Sequence, residues 1–121
     1  MTNVQLVNDY LAAFYAGDFD RAQALVADDF RFKGPFVEAA SKQAFFDSAA
    51  RLKPIVRGFD LLRQWCDGAD VCSIFDLRLQ TPVGSGSVTL CEWLTVRDSL
   101  LRTGRVILDT APFRALVPPA R

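Results

Sequence analysis

Few side chains in this sequence of 121 residues can do chemistry, and one type is missing altogether. There is no histidine, which removes His-dependent triads and the commonest zinc and haem ligands. The cysteines Cys66, Cys72 and Cys91 are odd in number and lack C-x-x-C spacing. With no histidine to activate them, they read as buried thiols of a reducing cytosol rather than as nucleophiles or a disulfide framework. Neither a metal nor a cofactor is expected. Proton chemistry then falls to carboxylates and phenols. Tyr10 sits on the apolar stripe of the first helix, where a phenol is either core or a hydrogen-bond donor. Asp76 and Arg78, two apart on one face of a strand, could activate a water if they point inward. The alternate set Val71, Ser73, Phe75, Leu77 and Leu79 is more apolar, which favours an outward surface pair.

Those groups must be positioned by one domain, 1–121, since the length suits a single core and no linker or repeat interrupts it. Lys plus Arg equals Asp plus Glu at 14 each, so no nucleic-acid partner is expected. The N-terminus has no signal-peptide pattern and no stretch is long enough to span a membrane, so a cytoplasmic protein is expected.

Apolar residues spaced at three and four predict a helix from about Asn3 to Ala16, closed by Gly17. A short helix capped by Asp18 follows to about Ala27, and Asp28-Asp29 is expected to turn the chain. Phe30–Lys33 alternates as a short strand ended by Gly34-Pro35. Ser41 caps a third helix to about Leu52. Beyond it come four strands: Ile55–Cys66 with a bend near Gly58, Val71–Thr81, Ser87–Arg97 and Arg105–Thr110. Asp98–Gly104 is expected as a loose turn, and the Pro-rich tail as irregular past Phe113. Three helices before four long strands imply an α+β fold, a curved antiparallel sheet wrapped over the helices.

The chain resembles the nuclear-transport-factor-2-like (NTF2-like) superfamily in its SnoaL-like and ketosteroid-isomerase-like branch. The resemblance rests on Tyr10, Ala16-Gly17-Asp18, Leu25, Ala27-Asp28-Asp29 and Pro35, with Glu92-Trp93 and Gly104-Arg105-Val106 in the strand half. It implies a cone with a central pocket, in a branch that holds isomerases, cyclases, epoxide hydrolases and non-enzymatic modules. Ketosteroid isomerases use an Asp base, with a Tyr and a protonated Asp at the oxyanion. Here the Tyr is Tyr10, but the base position falls on Gly34 and the second donor on Cys91, which argues against that mechanism. Asp76 and Arg78 do not match the Asp–Arg–Asp order of limonene-epoxide-hydrolase-like members.

The resemblance also implies side-chain directions. It places Thr89, Cys91, Trp93 and Thr95 inward, Val88, Leu90, Glu92 and Leu94 outward, and Ile107, Asp109, Ala111 and Phe113 inward. Asp109 is then the leading catalytic acid or base, its carboxyl raised by apolar surroundings, with Tyr10 holding a ligand oxygen. The alternative is a frayed strand end whose carboxylate meets an arginine or water. The pocket is expected to be lined by Phe14, Phe30, Phe32, Phe36, Phe45 and Phe113, together with Trp65, Cys91 and Trp93. It suits a small apolar or cyclic ligand, and the outer sheet face would carry a homodimer interface. Two functions stay open: cofactor-independent acid/base chemistry, or a non-catalytic binding or dimerisation module.

Overall fold

Thr2 opens the first helix, α1 (Asn3–Tyr15), through a reciprocal cap. Its hydroxyl accepts from the Gln5 amide while the Gln5 side chain accepts from the Thr2 amide. The stripe Leu6, Val7, Tyr10, Leu11 and Phe14 is buried, and Gly17 (φ +79°) takes the left-handed turn that ends the helix. Asp18 caps α2 (Phe19–Gln23), which is shorter than its pattern predicts. The chain instead enters β1 (Val26–Lys33), so Asp28-Asp29 lies within a strand rather than a turn. The ladder register slips between Val26 and Arg31, so the acidic pair does interrupt regular structure, as a bulge. Both carboxylates face solvent, Asp28 near Lys42 and Asp29 near Arg102.

This computed structural model describes residues 1–119, so the last two residues of the Pro-rich tail lie outside the described residues. A two-residue strand, β2 (Glu38–Ala39), pairs back on β1, and Ser41 caps α3 (Lys42–Ala49) by accepting from the Ala44 amide. Four long strands follow, β3 (Val56–Asp67), β4 (Asp70–Thr81), β5 (Gly84–Arg97) and β6 (Leu100–Leu108). They form one six-stranded sheet in the order β2-β1-β6-β5-β4-β3. Every neighbouring pair is antiparallel except β1 with β6, which is parallel. The expected bend in β3 is present as register shifts at Gly58 and past Leu61.

Two departures lie near the C-terminus. The expected loose turn is a tight one, with Asp98 and Ser99 both at positive φ, and β6 begins directly after it. The chain after β6 is helical: α4 (Thr110–Leu116) starts at Asp109, whose carboxylate accepts from the Ala111 amide. Pro112 lies in the first turn, where no intrahelical donor is needed.

The helices pack on the concave face of the sheet, where Tyr10, Phe30, Phe75, Leu94 and Leu101 are fully buried. On β5 the buried set is Val88, Leu90, Glu92, Leu94 and Val96, the reverse of the expected direction. Strand side chains alternate strictly, so the more apolar set takes the core side and carries Glu92 with it. Cys91 and Trp93 therefore face outward beside Trp65, and Ile107 likewise; Trp65, Trp93 and Ile107 keep 41–53% of their surface exposed. Asp76 and Arg78 are on that same outer face: Asp76 accepts from Thr89, and Arg78 pairs with Asp60.

Gly104 shows how tightly the concave side is filled. A methyl group there would lie 2.8 Å from the Phe30 ring and 3.1 Å from Leu94. Gly104→Ala should lower stability by about 1–3 kcal/mol, read as a lower urea midpoint with an unchanged slope.

Candidate active site

Between α1, α3, α4 and the concave face lies a cavity of about 310 Å³. Phe14, Phe32 and Phe45 line it from the helical side and β1, while Phe36 and Phe113 stand at its rim with ring centroids 4.7 Å apart. Leu77 on β4, Val88 and Leu90 on β5, and Val106 and Leu108 on β6 form the sheet wall. This wall follows from the parity of the strands. The polar groups are few: Glu92, Tyr15, Ser48 and Arg51.

Glu92 is 2% exposed, and the Tyr15 hydroxyl donates to its Oε1 at 2.8 Å. Burial penalises the charged carboxylate and pushes it up from 4.5 to about 7; the Tyr15 hydrogen bond offsets part of that. Burial also raises the Tyr15 phenol, and the neighbouring Glu92 charge raises it further. Tyr15 is held edge-on against Phe75 and tilted against Phe59, so its hydroxyl has a set direction. Tyr10 lies five residues earlier on the same helix, fully buried and, among the described residues, without a hydrogen-bond partner. Its phenol is raised by burial first and by the Glu92 charge second.

The expected site residues separate into three groups. Phe14, Phe32, Phe36, Phe45 and Phe113 line the cavity. Phe30 and Tyr10 are core residues behind its wall. Trp65, Cys91 and Trp93 are on the opposite face of the sheet, and Asp109 is an exposed helix cap outside the cavity. Glu92 and Tyr15 are the groups that residue-level reasoning missed. The signal was present in the run Val88-x-Leu90-x-Glu92-x-Leu94-x-Val96: one carboxylate inside an otherwise apolar period-2 set.

A SnoaL-like domain model matches residues 7–103, which covers both Tyr15 and Glu92. The chain belongs to the SnoaL-like family. No curated protein matches it by sequence. Among solved structures it is similar to an NTF2-like protein from Burkholderia pseudomallei, at 17% identity and TM-score 0.85, covering 98% of this chain and 100% of that one. It is also similar to an LEH-like epoxide hydrolase of M. tuberculosis, at 23% identity and TM-score 0.79, with 95% and 89% of the two chains covered. A third is a ketosteroid-isomerase-like fold from Catenulispora acidiphila, solved with trimethylamine, at 12% identity and TM-score 0.80 over 92% and 90%. At these identities the likeness establishes the SnoaL-like α+β cone. Among the described residues no helix is long and apolar enough to cross a membrane.

The raised Glu92 carboxyl has a consequence for stability. The unfolded chain releases this proton near 4.5 and the folded one near 7. Between those values the folded state holds more protons, so this contribution is full below about 4.5, falls as pH rises, and is gone above about 7. Across that window the wild type should lose about 3 kcal/mol of unfolding free energy. Glu92→Gln keeps an acceptor for Tyr15 and should abolish that slope in urea titrations at pH 5 and 8; a slope that persists would assign it to another group.

Proposed function

We propose that this SnoaL-like domain binds a small apolar or cyclic molecule and catalyses cofactor-independent proton transfer on it, with Glu92 as the acid/base group. The observation that carries the reading is a single buried carboxyl, titrating near neutrality, in the wall of an apolar cavity. At pH 7 about half of the Glu92 population is ionised and can take a proton, and the other half can return one. Tyr15 occupies Oε1, and among the described residues no group bonds to Oε2, which is the oxygen available to a ligand. Abstraction of a proton α to a carbonyl by the Glu92 carboxylate leaves an enolate, and the protonated carboxyl then returns the proton at a conjugated carbon. Tyr10 supplies a second phenol that can turn toward Glu92 when the carboxylate is charged. Asp109 keeps a cap role in this reading.

Binding without turnover is the second reading, and one observation favours it: among the described residues the polar lining is Glu92, Tyr15, Ser48 and Arg51, and the Tyr15 hydroxyl already donates to Glu92 rather than to a ligand oxygen. In either case a homodimer through Trp65, Trp93 and Ile107 would cover the apolar outer face, as a protein with no net charge permits. Three free thiols suit a reducing cytoplasm.

The test is deuterium exchange at the α-carbons of cyclohexanone and 3-cyclohexenone in D2O, followed by proton NMR. Wild type should exceed the buffer rate, Glu92→Gln should fall at least about 100-fold toward it, and Asp109→Asn, which retains a good cap, should keep the wild-type rate. Exchange that depends on Asp109 rather than Glu92 would sink the assignment. Ketone-induced shifts of cavity resonances without exchange would support binding alone.

A further inference from the structure

The charges around the cavity are not scattered. Among the described residues of its lining, Glu92 is the one acid and Arg51 the one base. They differ in depth: Glu92 is enclosed by the sheet wall, whereas Arg51 follows the C-terminal cap of α3 and is exposed. Ser48, one turn before Arg51, also faces the cavity. Among the described ion pairs none uses Arg51, so its guanidinium keeps its donors. A second cation, outside the cavity lining itself, stands on the aromatic part of the rim. The Arg114 guanidinium lies 4.8 Å from the centre of the Phe36 ring, which stacks on Phe113 across the mouth. Arg114 is also free of the described ion pairs.

This gives the cavity an axis. It runs from two cations and a hydroxyl at the entrance, through a belt of Phe, Leu and Val, to a protonatable acid at the floor. A neutral apolar ligand would use the belt and leave the rim idle. A cation would find its only carboxylate behind the belt and two like charges at the door. An anion at the deep end would meet Glu92. The arrangement is satisfied by a molecule with a carboxylate at one end, an apolar ring or chain in the middle, and a carbonyl or hydroxyl at the other.

Building on the cavity reading above, we propose that its ligand is a largely apolar monocarboxylic acid, bound with the carboxylate at Arg51 and Arg114 and its opposite end toward Glu92. A planar guanidinium binds a carboxylate with two parallel hydrogen bonds, which sets the ligand's orientation as well as its affinity. Arg51 is then a specificity residue, and Glu92 acts at the end of the ligand remote from the charge. The volume of about 310 Å³ is at the lower end for ligand sites, which limits the acid to a single ring with a short chain.

The test uses phenylacetate, 3-phenylpropionate and 4-phenylbutyrate, each against its primary amide, with binding followed by NMR shifts of cavity methyl groups at pH 6 and low salt. For at least one chain length the acid should bind about tenfold more tightly than its amide, and salt should weaken only the acid. The Arg51→Gln/Arg114→Gln double variant should bring the acid/amide ratio to about one while leaving amide affinity within about twofold. Amides that bind as well as acids at every length overturn the acid inference and leave the cavity reading intact. If the wild type binds neither series and Glu92→Gln leaves the pH dependence of stability unchanged, both fail together. A ratio that survives in the double variant places the anion elsewhere and also overturns the inference.

Discussion

Strand β5 is hydrogen-bonded on both sides along most of its length, and its side-chain alternation is the constraint on which the interior depends. Its pairing with β4 runs without a break from Asp70↔Thr95 to Thr81↔Gly84. A slip of one residue would exchange Val88, Leu90, Leu94 and Val96 for Ser87, Thr89, Cys91, Trp93 and Thr95 on the core side. The apolar set is therefore locked inward, and Glu92 has no choice of face. Tyr15, fixed between Phe59 and Phe75, meets it there. A carboxyl that solvent would stabilise is retained because four apolar neighbours on the same strand outweigh it.

The features written in short-range signals were legible. Asp18 and Ser41 were readable as caps and Gly17 as a helix end, because each acts within one turn of chain. The four long strands were likewise readable from runs of Val, Ile, Leu and aromatic residues. Asp109 was legible in a different sense. An aspartate before Thr110-Ala111-Pro112 is a helix-start signal, and reading it as a pocket acid set that local signal aside. Glu92 was hidden by an inverted face assignment, although the alternation around it already indicated burial. The β1–β6 pairing had no local signal at all, since it joins segments from opposite ends of the sequence.

The two faces of the sheet have separate tasks. The concave side excludes water and carries one acid whose ionisation is costly. The convex side carries Trp65, Trp93 and Ile107 among Asp60, Arg78, Asp70 and Asp76, whose partners lie within the same sheet. Asp70 accepts from Thr95 and Trp93, which holds its carboxyl below the usual range. Acids of one chemical type thus sit on either side of one layer of backbone, one pushed up by burial and one pushed down by donors.

The parallel pairing of β1 with β6 also sets the order in which the molecule can be made. The partner of Phe32 is Gly104, and Leu25 receives its bond from the Leu101 amide. A chain emerging from the ribosome displays α1, α2 and β1, with Phe14, Phe19, Phe30 and Phe32, long before the strand that covers them exists. The hairpins β3–β4 and β4–β5 can close as soon as they are synthesised, but the N-terminal third must wait for the last strand, β6. Its aromatic surface is the part of the nascent chain that waits longest for its cover.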